Sequence, residues 1–198
     1  MRRPAAAVLA ALVLTATGCS GGSDEPAPAP STPTPTPLSE LDARGLDVAR
    51  TSFCAQVAPA AVEDALGGAS DSSDEWVNGD RARLADGVTD VAHEFGCRWV
   101  AADGTTATGW VFAPPVTPKR AEELRTAAAK ASGCRPVAAA PPYGAHSVAV
   151  RCEDGTTAFH GLFGDAWLSC SLRIRPAGDA DLDRVGRWCA TVAQAAGS

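Results

Sequence analysis

The sequence lacks an apolar run long enough to cross a membrane as a helix. Its one conspicuous run, Pro4 to Thr17, falls short of the roughly 17 to 25 residues such a span needs. It also lacks an excess of positive charge. The 17 Lys and Arg face 23 Asp and Glu, a net charge of −6. That excludes a nucleic-acid partner, which needs a basic surface, and charge-driven docking on anionic lipid. No Cys-x-x-Cys pair occurs, and the Cys and His spacings resemble no zinc site. No Gly-x-Ser-x-Gly elbow or glycine-rich phosphate loop occurs either, so acyl-transfer and nucleotide chemistry are without their usual motifs. No Asn-x-Ser/Thr sequon is found. Nothing here calls for a metal or a cofactor.

What is present begins at the N-terminus. Arg2 and Arg3 are followed by an uncharged Ala/Leu/Val-rich run that closes in Ala16-Thr17-Gly18-Cys19. A basic start, a short apolar middle and a small-residue end describe a secretory signal peptide over residues 1–18. The cysteine directly after it makes the segment resemble a bacterial lipoprotein signal. That resemblance implies acyl chains on Cys19, and hence a protein held by the membrane at its outer, extracytoplasmic face. More than one chain is needed for stable anchoring. Without Arg2 and Arg3, 15 basic and 23 acidic residues remain, a net charge of −8.

Residues 19–37 read as the lipidated end and its tether. Ser20 to Pro37 is SGGSDEPAPAPSTPTPTP. Proline lacks the N–H that a helix or a sheet ladder requires. Such a segment extends about 3.1 Å per residue, roughly 55 Å in all. Ser31, Thr32, Thr34 and Thr36, set between prolines, are candidate O-glycosylation sites.

Residues 38–198 are the length of one ordinary domain, and no second linker divides them. Cys54, Val57, Ala58, Ala61, Val62, Ala65 and Leu66 fall at helical spacing, with Pro59 opening a fresh turn and Gly67-Gly68 ending it. His93, Phe95, Cys97, Trp99 and Ala101 alternate as on a strand. Asp103-Gly104 predicts a hairpin turn, and Thr105 to Phe112 a returning strand. A second helix is expected over 118–132, opened by Pro118 and closed by Gly133. Ser147 to Arg151, Thr156 to Phe163 and Trp167 to Arg175 read as strands, the last with Leu168, Cys170, Leu172 and Ile174 inward and Ser169, Ser171, Arg173 and Arg175 outward. A last helix is expected from about Asp181 to Ala195. The fold class is therefore α+β, a mostly antiparallel sheet with helices on one face.

Six cysteines remain after Cys19, which in an oxidising compartment suggests three disulfides among fifteen formal pairings. Each helical segment offers one cysteine and each has a strand cysteine to meet. The expected pairs are Cys54–Cys97, Cys134–Cys152 and Cys170–Cys189, each pinning a helix to the sheet. Asp103-Gly-Thr-Thr-Ala and Asp154-Gly-Thr-Thr-Ala repeat, with Phe112 and Phe163 at the same offset. A duplicated hairpin and convergent turn chemistry both explain this.

Chemistry is harder to find. His93-Glu94-Phe95-Gly96-Cys97 begins like a helical zinc-protease motif, but Cys97 replaces the second His and the segment reads as strand. Asp179-Ala-Asp-Leu-Asp183 hints at a calcium loop, yet Arg184 and Ala190 stand where Gly and Glu are required. It reads as charge at the start of a helix. The three histidines, His93, His146 and His160, all fall in expected strands and are more simply structural. Two regions look less like scaffold. Residues 67–91 form a long acidic stretch with an exposed-looking Trp76 and an Asn78-Gly79 turn. Residues 161–167, with Asp165 and Trp167, lie in sequence near Pro141-Pro142-Tyr143-Gly144 and are candidates to line a groove with His160.

The order of elements resembles a group of actinobacterial cell-envelope lipoproteins known only as domains of unknown function. The likeness rests on the lipoprotein signal, the Pro/Thr tether, the Cys54–Gly67 helix ending in Ala-Leu-Gly, and Cys97-Arg98-Trp99. It implies a small α+β domain outside the membrane and carries no catalytic residue. The expected function is a non-enzymatic binding or accessory module whose partner is an envelope protein or a small ligand, with candidate contacts at Trp76, Tyr143, His160, Asp165 and Trp167. The alternatives are a secreted hydrolase using His160, Asp165 and Glu153, or a lipid carrier. A cavity below about 300 Å³ would exclude the carrier.

Overall fold

The computed structural model describes residues 35–43, 45–85, 87–175 and 182–197, omitting the Ala85 side chain. The signal segment, Cys19, most of the tether and residues 179–181 lie outside them. A 3-10 turn at Leu38–Glu40 and another at Cys54–Gln56 precede α1 (Pro59–Leu66). Then come β1 (Ser72–Trp76), β2 (Arg81–Ala85), β3 (Val88–Val91), β4 (Glu94–Val100) and β5 (Thr106–Phe112). These are followed by α2 (Pro118–Ala129), β6 (Cys134–Pro136), β7 (Ala145–Cys152), β8 (Thr156–Phe163), β9 (Ala166–Arg173) and α3 (Leu182–Ala196). Among the described residues no helix is long and apolar enough to cross a membrane.

Seven strands form one antiparallel sheet in the order β1-β4-β5-β9-β8-β7-β6, while β2 and β3 form a separate hairpin. The α+β class and the antiparallel sheet are as expected. So are all three disulfide pairs, Cys54–Cys97, Cys134–Cys152 and Cys170–Cys189.

The expected placement of all helices on one face is corrected, since they divide between the two faces of the sheet. α1 and α3 cover one face, because Val111, Leu168, Cys170 and Leu172 meet the stripe Val185, Trp188, Cys189 and Val192 there. Across this face Cys97, Gly109 and Cys170 are neighbours in register. Two disulfides therefore flank Gly109, over which Val192 and Phe53 descend; a Cβ there would lie 2.9 Å from Val192. Arg184 donates to the carbonyls of Asp64 and Ala65 at 3.1 and 3.0 Å, closing the end of α1.

α2 sits on the opposite face, where Val116, Ala121 and Leu124 pack with Trp110, Phe112, Leu162 and Trp167. Thr117 caps it by accepting from the Arg120 N–H at 3.3 Å, and Pro118 takes the first helical position. This corrects the expected exposure of Ser169, which α2 and its neighbours leave 2% exposed. Further expectations are corrected. The stretch 67–91 holds β1, β2 and β3 rather than one long loop, and Trp76 is buried at 3% exposure. Cys134–Cys152 joins the paired strands β6 and β7 rather than a helix and the sheet. His93 precedes β4 and is exposed.

The two Asp-Gly-Thr-Thr-Ala turns are built alike. Asp103 accepts from the Thr105 N–H and hydroxyl at 2.8 and 3.1 Å, and Asp154 from those of Thr156 at 3.0 and 3.0 Å. Their strands flank β9 on either side. Thr106 and Thr156 are both opposite Arg173, so the second repeat is displaced by one residue. A one-residue slip reverses the facing of every later side chain. Phe112 accordingly packs under α2, while Phe163 packs in the core on the other face.

Candidate functional site

Three glycines shape a cleft at one end of the sheet. The backbone at Tyr143 crosses directly over Gly161 on β8; a Cβ at Gly161 would lie 1.5 Å from the Tyr143 carbonyl oxygen. Gly144 takes a left-handed φ of 72°, and a Cβ there would meet the Leu162 oxygen at 2.7 Å. Gly164, in the β8–β9 turn, is also left-handed, with φ 59°. These glycines let the loop before β7 press on β8. The Tyr143 ring then enters the core edge-on to Phe159 and Phe163, at centroid distances of 6.1 and 5.0 Å.

The opposite wall is the strap Leu38–Ala43, held by Leu38, which is buried against Gly186 of α3. Between strap and loop lies an open cavity of about 540 Å³, whose walls include Leu38, Leu41, Asp42, Pro142, Leu162 and Phe163. That is within the range of small-molecule sites, roughly 300 to 1,000 Å³, and above the size that would exclude a carrier. Its lining side chains are mostly apolar, with Ser39 and Asp42 as polar groups, but the lining surface as a whole is as polar as it is apolar. The arrangement suits an amphipathic ligand.

The sequence-named candidates do not all gather here. The segments 142–145 and 162–164 do meet in the cleft, as their composition suggested. Tyr143 is fully buried behind it, its hydroxyl has no hydrogen-bond partner among the described residues, and burial pushes its phenol well above the usual range. His160 and Trp167 lie on the α2 face, ring-stacked at 6.4 Å and 8°. Asp165 is at the β8–β9 turn, 3.3 Å from Arg50, which also donates to the Ala113 carbonyl at 2.7 Å. That pair ties the turn to the strap side of the fold. Trp76 is far along the sheet, on β1. The strap was missed by sequence reasoning. It directly follows the Pro/Thr tether, and Leu38 and Leu41 carry no periodic signal.

One acid–base pairing was also invisible in the sequence. The Ser169 hydroxyl and His160 Nδ1 are 2.8 Å apart, on paired positions of β8 and β9. Burial lowers the His160 pKa to about 4, so the ring is neutral near pH 7. Ser169 is buried in mid-sheet and borders none of the described cavities. The pair satisfies the buried Ser169 hydroxyl and the half-buried His160 ring beneath α2. Among the described residues no group of three His, Cys, Asp or Glu is placed to hold a metal.

No protein-family model, curated protein or solved structure matches this chain.

Proposed function

We propose that this chain is an extracytoplasmic lipoprotein, acylated at Cys19, whose domain binds a small amphipathic ligand and does no chemistry on it. The observation that carries the reading is the cleft between the Leu38–Ala43 strap and the loop over Gly161. Three disulfides fit an oxidising, extracellular setting, and the N-terminal signal fits lipid attachment. The resemblance to actinobacterial envelope lipoproteins agrees with both. A hydrolase built on His160, Asp165 and Glu153 is disfavoured. Glu153 and Asp165 lie beyond opposite ends of the eight-residue β8, roughly 26 Å apart by strand rise.

Native mass spectrometry of the full chain, purified unreduced from its host membrane, tests this. The covalent mass should carry acyl chains, and a non-covalent adduct should accompany the wild type. Ala145→Trp places an indole in the cleft from an exposed position and should abolish that adduct while leaving the disulfides intact. A bare wild-type mass, or an adduct that survives Ala145→Trp, would overturn the small-ligand reading.

A further inference from the structure

The face that carries α2 grades from apolar to polar along the strands. Under α2 lie Phe112, Leu162 and Trp167. One step along are Trp110, Ser169 and His160; β1 lays Trp76 over Gly96 in the same row. Two steps beyond α2 the row reads Asp74, Arg98, Thr108 and Ser171, and the last reads Thr106, Arg173 and Thr156. No helix covers these last rows. The β2–β3 hairpin leans over them instead: the Arg98 guanidinium donates to the Arg83 carbonyl at 3.3 Å, and Leu84 forms a wall. The result is a two-lobed groove, one lobe of about 350 Å³ and one of about 330 Å³, both lined by Trp76 and Arg98.

Three features define what the groove accepts. First, its charge is balanced. The lobes carry four carboxylates and four guanidinium groups between them, and Arg98 is paired with Asp74 at 2.5 Å. A phosphate or carboxylate ligand would meet no net positive field. Second, its floor is hydroxylic. Thr108 and Ser171 sit side by side across β5 and β9, half-buried, and neither hydroxyl has a hydrogen-bond partner among the described residues. A hydroxyl both donates and accepts, so it suits a partner that does both. Third, the Trp76 indole N–H is buried with no acceptor among the described residues. The ring lies flat on Gly96, where a Cβ would come within 2.3 Å of it. A buried donor without an acceptor is costly; packing on Gly96 fixes the ring, and it reports on whatever fills the two lobes it lines.

We infer that this groove binds a neutral oligosaccharide, with sugar hydroxyls on Thr108 and Ser171 and the edge of the Trp76 ring between the two lobes. Paired guanidinium and carboxylate groups such as Arg98 and Asp74 present forks that match vicinal hydroxyls of a sugar ring. Two lobes meeting at Trp76 take successive sugar units. This site lies on the sheet face opposite the core that backs the strap cleft, and it stands independently of that reading.

The experiment uses the full chain, ¹⁵N-labelled at tryptophan and held in a detergent without a sugar headgroup. The five indole signals are followed by NMR, with Trp76 assigned through Trp76→Phe. The probes are neutral tetrasaccharides of glucose, galactose, mannose, arabinose and N-acetylglucosamine, with inorganic phosphate and a sulfated tetrasaccharide beside them. At least one neutral probe should move the Trp76 signal in a saturable way. The double variant Thr108→Val/Ser171→Ala should weaken that binding at least about tenfold, since it removes two hydrogen bonds. Leu84→Trp, which fills the groove from its hairpin wall, should do the same and keeps the test open if the double variant fails to fold. A Trp76 signal unmoved by every neutral probe, a response to phosphate or sulfated sugar alone, or binding that survives these variants would overturn the proposal.

Discussion

At the scale of single residues, fit and desolvation decide more than motif. Gly161 matters because a backbone carbonyl lies where its Cβ would be. His160 matters because α2 and Trp167 strip water from its ring. Burial disfavours its charged form and lowers its pKa from 6.5 to about 4. The unfolded chain therefore takes up a proton between those values that the folded protein refuses. The stabilisation is complete above about pH 6.5 and is lost as pH falls toward about 4, by up to about 1.4 kcal/mol per unit. His160→Gln does not titrate and retains a polar partner for Ser169. Urea denaturation of wild type and variant across this window should show the wild type losing stability more steeply. Parallel curves would show that His160 is not desolvated. Glu122, held at about 2 chiefly by Arg125 and then by His146, titrates in a lower window and does not confuse the result.

At the scale of elements, two of the disulfides join layers that the sequence already patterned, and the third joins paired strands. Cys54–Cys97 spans 43 residues and Cys134–Cys152 spans 18. Closing the longer loop removes more chain entropy from the unfolded state, worth about 4 kcal/mol against about 3 for the shorter. The longer bridge also ties the α1 layer to β4 beside Gly109, whereas the shorter ties two strands that already pair. Cys54→Ala/Cys97→Ala should therefore lower the free energy of unfolding more than Cys134→Ala/Cys152→Ala does, as read by equilibrium denaturation. Equal losses would mean that the unfolded chain is already restrained. The pairing was legible because each helical segment offered one cysteine at its apolar face or end and each had one strand cysteine to meet, although Cys134 proved to lie on a strand. The register slip between the two Asp-Gly-Thr-Thr-Ala hairpins was not. Identical turns specify a bend, but the partner strand β9 sets which face follows.

At the scale of the whole molecule, the folded domain carries the concavities, and the proposed address rests on the N-terminal segment. If acyl chains on Cys19 hold the protein, Cys19→Ser should move it from the membrane fraction to the soluble one with its three disulfides unchanged. Retention in the membrane would place the anchor elsewhere. The candidate sites were only partly readable. Composition singled out 141–144 and 161–167, of which Pro142, Gly144, Leu162, Phe163 and Gly164 border the cleft, while Asp165 and Trp167 do not. Trp76 seemed exposed because its neighbours Ser72, Ser73, Asp74 and Glu75 are polar. On a strand, though, its side chain turns inward onto Gly96. Thr108 and Ser171 carried no signal at all, being 63 positions apart in the chain.

The sequence by itself determined the α+β class, the strand and helix periodicities and the disulfide partners. Those depend on local spacing, which a chain carries at every position. The tertiary structure alone decided which face each helix covers, that α2 shelters Ser169 and His160, and that a hairpin rather than a helix walls the polar rows. Those outcomes depend on contacts between distant segments, where register and the space left by missing side chains at Gly96, Gly109 and Gly161 select one packing.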